Sequence, residues 1–349
     1  MERIKMIEKA DKSAYIAAKQ HWDSIAKPLG SFGLLEEAIQ KIAAVQGTEN
    51  VDISRRTAVI MCGDHGVTAE GVTQCGSEVT AECAIAISDG RSNINAVASQ
   101  FNIDVIAVDV GIAADVSETA VIPRKIAFGT TNMTKGAAMT REQMEQAIKV
   151  GMDMVGELKK SGTNLVITGE MGIGNTTSAS AVAAVLLGLP AEQVTGRGAG
   201  LSSEGLVRKI NAVKTAIVVN SPKSDDPYDV LQKLGGFETA AMVGLFLGGA
   251  YYHVPVVIDG VISASAAALA YSIEPICGEY MLASHCSGEP AGEGLLRFCA
   301  QEPIISAGLR LGEGTGGALL VPLLDGALAL YRKAHRFAET SIERYTELT

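Results

Sequence analysis

Residues 164–180 read Asn-Leu-Val-Ile-Thr-Gly-Glu-Met-Gly-Ile-Gly-Asn-Thr-Thr-Ser-Ala-Ser, or NLVITGEMGIGNTTSAS. An apolar run of strand length gives way to a loop with glycines at 169, 172 and 174, and an alanine-rich stretch follows. β-Branched residues in a short run favour a buried strand, and small residues behind polar capping groups favour a helix. The segment therefore predicts strand, tight loop and helix, with the helix over 174–188. The same order recurs along the chain. Thr57–Cys62 ends in Gly63-Asp-His-Gly66, Ile103–Val110 ends at Gly111, and Val254–Ile258 ends in Asp259-Gly260. Helical periodicity falls between these runs, at 80–100, 140–160, 236–251 and 262–271. Short apolar strands alternating with helices predict an α/β fold, a parallel Rossmann-like sheet with helices on both faces. Ligands of such sheets bind at the carboxyl ends of the strands, where each of these glycine loops lies.

The ends of the chain read differently. Residues 1–45 are helical in pattern, broken by the loop Lys27-Pro-Leu-Gly-Ser-Phe-Gly33, and Leu319–Glu347 returns to a helical pattern. Residues 1–30 and 325–349 are expected to form a small helical domain, with 31–324 as the large α/β domain. Pro222-Lys-Ser-Asp-Asp-Pro227 reads as a surface turn.

Of the 349 residues 47% are hydrophobic, enough to bury a large core and too many for a disordered chain. Against 29 Lys and Arg stand 39 Asp and Glu, a net charge of -10 without any basic run, so nucleic acid and anionic membrane surfaces are poor partners. A small anion is still a fitting ligand, because backbone amides can bind one locally. The N-terminus MERIKMIEKADKSAYIAAKQ lacks the apolar core of a secretory signal. The apolar stretch Ala240–Ile258 is interrupted by Gly248-Gly249, His253 and Pro255, and reads as a buried helix followed by a strand rather than a membrane span. Six cysteines without a CxxC pair suit reduced thiols and a cytoplasmic location, with Cys62 a small buried hydrophobe.

Four constellations could carry chemistry. In GEMGIGNTT (169–177) the glycines let backbone N–H groups converge at a helix N-terminus, whose partial positive charge suits a phosphate; a tight structural turn would use the same glycines. The segment has neither the Gly-Lys-Ser/Thr of a Walker loop nor GxGxxG, which argues against a nicotinamide-dependent oxidoreductase. Gly196-Arg-Gly-Ala-Gly200, with Arg208 and Lys209, could complete a phosphate site, although taken alone it reads as a connecting loop and a solvated helix face. Asp64-His65 with Glu70, and His285-Cys286, lack further ligands at metal-binding spacing and read as structural hydrogen-bonding groups. Glu313, between Gly312 and Gly314 and ahead of an apolar helical run, is placed to be partly desolvated and basic; a helix cap or an ion pair with Arg310 is the alternative.

Taken in order, KPLGSFG (27–33), GDHGV (63–67), EGV (70–72), GEMGIGNTT (169–177), GRGAG (196–200), GGFE (235–238), DGVISASAA (259–267), SHCSGEP (284–290) and LRLGEGTG (309–316) resemble the nicotinate-nucleotide–dimethylbenzimidazole phosphoribosyltransferase family over residues 20 to 330. The resemblance implies a six-stranded parallel sheet, a small helical domain from both termini, and a homodimer with each site near the partner. It implies transfer of the 5-phosphoribosyl group of nicotinate mononucleotide to a lower-ligand base of cobamides, with inversion from β to α and no metal or organic cofactor. Glu313 becomes the general base, and Glu170 faces the ribose. Gly172, Ile173, Gly174, Asn175, Thr176 and Gly198 hold the phosphate with the charge of Lys209.

Departures from the family pattern concern the acceptor. Cys75 and Gly76 stand where the family commonly has Tyr or Ser and then Pro, Cys83 aligns with a glutamine of some members, and Ala291-Gly292 replaces Gly-His. Cys75, Cys83 and Leu311 would then line a smaller and less polar acceptor pocket. Some members of the family activate purines or phenols, the phenol type as paired paralogues. The expected acceptors are therefore 5,6-dimethylbenzimidazole, a purine, or a phenol such as p-cresol, and the expected partner is an identical copy or a paralogue. An inactive or weakly active nucleotide-binding subunit of a heteromeric transferase is the alternative function.

Overall fold

The computed structural model describes residues 2–345. Six strands, β1 (Arg56–Gly63), β2 (Ile103–Gly111), β3 (Ile122–Pro123), β4 (Leu165–Met171), β5 (Val256–Ile258) and β6 (Met281–Ala283), pair in parallel in the order β3-β2-β1-β4-β5-β6. Every residue of β1 is buried. Val59 and Met61 join one apolar core, while Ala58, Ile60 and Cys62 join the other; Val166 and its neighbours Leu165 and Ile167 divide in the same way on β4. The continuous apolar runs thus reflect a sheet covered on both faces. Helices Arg141–Lys160, Asn175–Leu187, Phe237–Tyr252 and Val261–Ile273 cover one face, and Leu34–Gln46, Glu78–Ser88, Asn93–Ala98 and Thr315–Lys333 cover the other. Truncating the fully buried Ile60 to alanine would cost about 2–5 kcal/mol.

Four strands lie where the apolar runs predict them. β3 and β6 are additional, and both are too short to announce themselves: two residues ending in Pro123 at the sheet edge, and the three residues Met281–Ala283. The Pro222–Pro227 turn joins two helices, Ser203–Asn220 and Pro227–Leu234.

The chain lays down β1, β2 and β3 in one direction, then returns past β1 to place β4 on its other side. Cys62 pairs with Met171 where these two central strands end, so the loops that follow them diverge and leave a crevice between.

The terminal segments meet each other. The His21 ring stacks on Tyr331 at 4.0 Å, its Nε2 donates to the Tyr331 carbonyl (2.7 Å), and the Ala26 amide donates to the His335 carbonyl (2.8 Å). Trp22 is completely buried beside Tyr331. The C-terminal helical pattern ends at Lys333, followed by a short 3-10 turn at Phe337–Glu339, rather than running to Glu347; residues 346–349 of the expected helical domain lie outside the described residues. Residue 325 falls inside the unbroken helix Thr315–Lys333, so a boundary there cuts an element instead of a linker.

Candidate active site

A cavity of about 300 Å³ opens at the crevice. The end of β4 supplies Glu170 to its wall, and the loop and helix start that follow supply Gly172, Ile173, Asn175 and Thr176. Cys75 comes from the segment after β1, Gly198 from the GRGAG loop, and Leu311 and Glu313 from the loop before the helix Thr315–Lys333. A hollow of about 380 Å³ beside helix Leu34–Gln46 is larger, but it borders neither of the two central strands and none of the glycine loops.

Glu170 is the penultimate residue of β4 and only 6% exposed. Asn175 donates its side-chain amide to Glu170 Oε2. Burial, and then the charges of Asp259, Glu238 and Glu313, push the Glu170 pKa up to about 8, so it keeps its proton near neutrality. The loop carrying Glu313 is pressed onto this strand: a Cβ at Gly169 would lie 2.9 Å from the Gly314 nitrogen and 3.0 Å from the Glu313 carbonyl carbon, so only glycine fits.

Glu313 has φ +59, between Gly312 at +87 and Gly314 at +81. Left-handed backbone costs a non-glycine residue roughly 1–2 kcal/mol, and here it turns the carboxylate towards the cavity. Asn93 donates to Oε1 at 3.0 Å, while Oε2 is buried without a hydrogen-bond partner. Arg310 lines the cavity but, among the described residues, makes no ion pair with Glu313. The ion-pair alternative is therefore not the arrangement adopted.

The phosphate cradle differs in detail from the expected convergence of free amides. The Ile173 N–H donates to Thr80 Oγ1 (3.0 Å), and the Thr80 hydroxyl donates to Asp64 Oδ1 (2.6 Å). The Asn175 N–H closes onto the Gly172 carbonyl (3.1 Å), and Gly174, with φ +102, turns behind the wall against His65. Tight folding of the loop has consumed these donors. Gly198 N–H does face the cavity, where it donates to Glu289 Oε1 (3.2 Å). Lys209 corrects the picture of a solvated helix face: it is 1% exposed and donates to Thr176 Oγ1 at 2.8 Å. Burial pulls its pKa down to about 8, against the opposing charge of Glu289. Its ammonium therefore stands behind Thr176 and Gly198, not on the wall itself.

Cys83 also lies off the cavity wall, one helical turn beyond Val79, which does line it. Burial first, then the Glu313 and Cys75 charges, raise its thiol pKa. Asp64 and His65 are buried away from the cavity; His65 Nε2 sits 2.9 Å from Glu238 Oε1, a pair in which burial of His65 is outweighed by the Glu238 charge and its pKa rises. Among the described residues, no group of three or more His, Cys, Asp or Glu is placed to hold a metal ion, no helix is long and apolar enough to cross a membrane, and all six thiols are unpaired.

Sequence reasoning did not single out Ser287, Glu289 or His285 for this wall, nor Asn93 as a partner of Glu313. Asn93 reaches Glu313 from 220 positions away, a proximity that only folding creates. SHCSGEP did carry a signal, since a polar run after β6 lies on the same rim as the loops of β1 and β4. Burial lowers the pKa of His285, against the charge of Asp259, and its Nδ1 meets Ser284 Oγ at 3.0 Å.

A family model described as a phosphoribosyltransferase matches residues 7–342. The nicotinate-nucleotide–dimethylbenzimidazole phosphoribosyltransferase of Ruminiclostridium cellulolyticum is 42% identical over 347 residues, covering 99% of each chain. That of Clostridium acetobutylicum is 41% identical, covering 99% of this chain and 98% of the relative. The crystal structure of CobT from Thermus thermophilus superposes with a TM-score of 0.90 at 35% identity, covering 95% of this chain and all of that one (100%).

Proposed function

The chain belongs to the nicotinate-nucleotide–dimethylbenzimidazole phosphoribosyltransferase family, and from that premise we propose that it transfers the 5-phosphoribosyl group of nicotinate mononucleotide to 5,6-dimethylbenzimidazole for cobamide synthesis in the cytoplasm. The observation that carries the mechanism is the buried, unpartnered Oε2 of Glu313 at the cavity. As the acceptor nitrogen bonds to C1′ of the ribose, the bond from C1′ to the nicotinate nitrogen breaks and its electron pair stays with nicotinate. The configuration at C1′ inverts from β to α. The acceptor N–H proton passes to the Glu313 carboxylate, a general-base step. Glu170, which retains its proton, serves as a hydrogen-bond donor towards the ribose. The phosphate is held by Gly172, Thr176 and Gly198 with the Lys209 charge behind them, and Ile173, Gly174 and Asn175 shape the loop.

A phenolic acceptor is a second reading, favoured by the wall of Cys75, Val79 and Leu311 on the Glu313 side, which offers apolar contact and a single thiol. A phenol has a pKa near 10, so Glu313 would take its proton in step with attack. Cys83 belongs to this reading as a residue behind the wall. The active unit is a homodimer, or a heterodimer with a paralogue.

Mass spectrometry of the purified chain incubated with nicotinate mononucleotide and, separately, dimethylbenzimidazole, adenine, phenol and p-cresol tests the proposal. Free nicotinate with the matching α-ribotide is the expected result and names the acceptor. Absence of product with all four, alone and after mixing with a co-expressed paralogue, overturns it in favour of a nucleotide-binding subunit.

A further inference from the structure

Helix Thr315–Lys333 starts two residues after Glu313, with Gly314 at its cap position and no side-chain cap of its own. Its orphan N–H groups are met from another part of the fold. Asp259, at the carboxyl end of β5, accepts from Gly314 N–H through Oδ2 (3.2 Å) and from Gly317 N–H through Oδ1 (2.9 Å). The carboxylate is 2% exposed and does not line the cavity. It is itself tied down: its backbone N–H donates to Ser263 Oγ (3.1 Å), and that hydroxyl lies 2.6 Å from Thr168 Oγ1 on β4. The His285 ring closes the remaining space, since a Cβ at Gly316 would lie 2.2 Å from its Nδ1 and 3.1 Å from Asp259 Oδ1.

We propose that Asp259 is a positioning residue for the reaction, fixing the strained turn at Glu313 so that the Glu313 carboxylate is held at the acceptor. The inference rests on the reading of Glu313 as the base. One acceptor bond holds Gly314, the residue that follows Glu313, the other holds Gly317 in the first turn of the helix, and β5 is a rigid support for both. Without the clamp, the left-handed residue at 313 has no reason to keep its conformation, because its own backbone preference opposes it. An ordinary cap would contribute only to stability; this one also fixes the direction of a reacting group.

The test compares kcat, and nicotinate mononucleotide affinity by calorimetry, in Asp259→Asn, Glu313→Gln and the double variant, at a temperature where all remain folded by circular dichroism. An asparagine offers one acceptor and one donor in place of two acceptors, so it loses one of the two clamps. Expected for Asp259→Asn is a fall in kcat of about 50-fold, since small misplacements cost up to about a hundredfold, with nucleotide affinity within about threefold of wild type. In the Glu313→Gln background the same substitution should change turnover by less than about twofold, because there is no longer a base to position. Ser263→Ala, which loosens Asp259 without touching its carboxylate, should lower kcat by about fivefold and lose that effect in the same background; it serves if Asp259→Asn does not fold. Wild-type turnover in Asp259→Asn alongside a slow Glu313→Gln overturns the inference and leaves the base reading intact. Equal losses in both backgrounds also overturn it, by showing a general structural role. Wild-type turnover in Glu313→Gln removes the base reading instead, and Asp259 then has nothing to position.

Discussion

Glu170 and Glu313 both follow a glycine, both accept a hydrogen bond from an asparagine side chain, and both face one cavity, yet the fold treats them in different ways. Glu170 is part of a central strand, buried and ringed by other carboxylates, so its charged form is penalised and it holds a proton to about pH 8. Glu313 sits in a strained turn at the rim, half-buried, with one oxygen bound by Asn93 and the other buried without a hydrogen-bond partner. Residue type and glycine context do not separate the two environments. Burial and backbone conformation do, and they come from the elements on either side.

The sharpest way to break this comparison is Glu313→Gln. A base contributes about 10²–10⁴-fold, so steady-state assays should show kcat down by at least about a hundredfold, with nucleotide affinity nearly unchanged. Lys209→Met should come next. Loss of the buried cation should weaken nicotinate mononucleotide binding by roughly 30-fold, measured by calorimetry, and leave the riboside that lacks a phosphate unaffected. In the wild type the same affinity should decline as pH rises through about 8, where Lys209 loses its proton.

Glu170→Gln mimics the protonated side chain, so its turnover should fall by only about tenfold. Stability reveals the contrast with Glu313 more directly. The folded-state pKa of Glu170 is raised, so its contribution is fully present below the unfolded carboxylate pKa and is lost as pH climbs through about 8. The variant should therefore match wild type in a melt at pH about 5, yet melt roughly 5 °C higher than wild type at pH about 9. Equal melting at both values would mean that Glu170 is not held protonated. Asn93→Ala, which frees the Glu313 carboxylate to swing, should reduce kcat by about fivefold. Smallest is Cys75→Tyr: an added ring at the wall should raise KM for dimethylbenzimidazole about threefold and for phenol less, within the range one extra pocket group can discriminate. Identical KM values for every acceptor would take Cys75 out of the acceptor wall.

Much of the fold was legible because a strand buried on both faces must be apolar throughout, and because glycine loops punctuate the four longer apolar runs. TAVIMC and NLVITG needed no tertiary information, whereas Met281–Ala283 and Ile122–Pro123 were invisible because two or three residues carry no period. The same limit applies at the site. Nine of the twelve residues expected there line the cavity, with Gly174, Lys209 and Cys83 behind it. The chain order could not say which face of a loop or helix points inward. Lys209 follows the exposed Arg208, and only packing of helix Ser203–Asn220 decided that the second of two adjacent cations would be buried against Thr176.

By itself, then, the sequence determined the alternating α/β order, the rim on which the glycine loops gather, and the residue types available there, because these follow from local periodicity and from the backbone freedom of glycine. The tertiary structure decided that Glu170 keeps its proton, which amides of the phosphate loop are already engaged, and which distant groups brace them. Desolvation and hydrogen-bond partnership are properties of neighbours brought together by folding, and Asn93 beside Glu313 and Asp259 beneath Gly314 are neighbours that no local pattern contains.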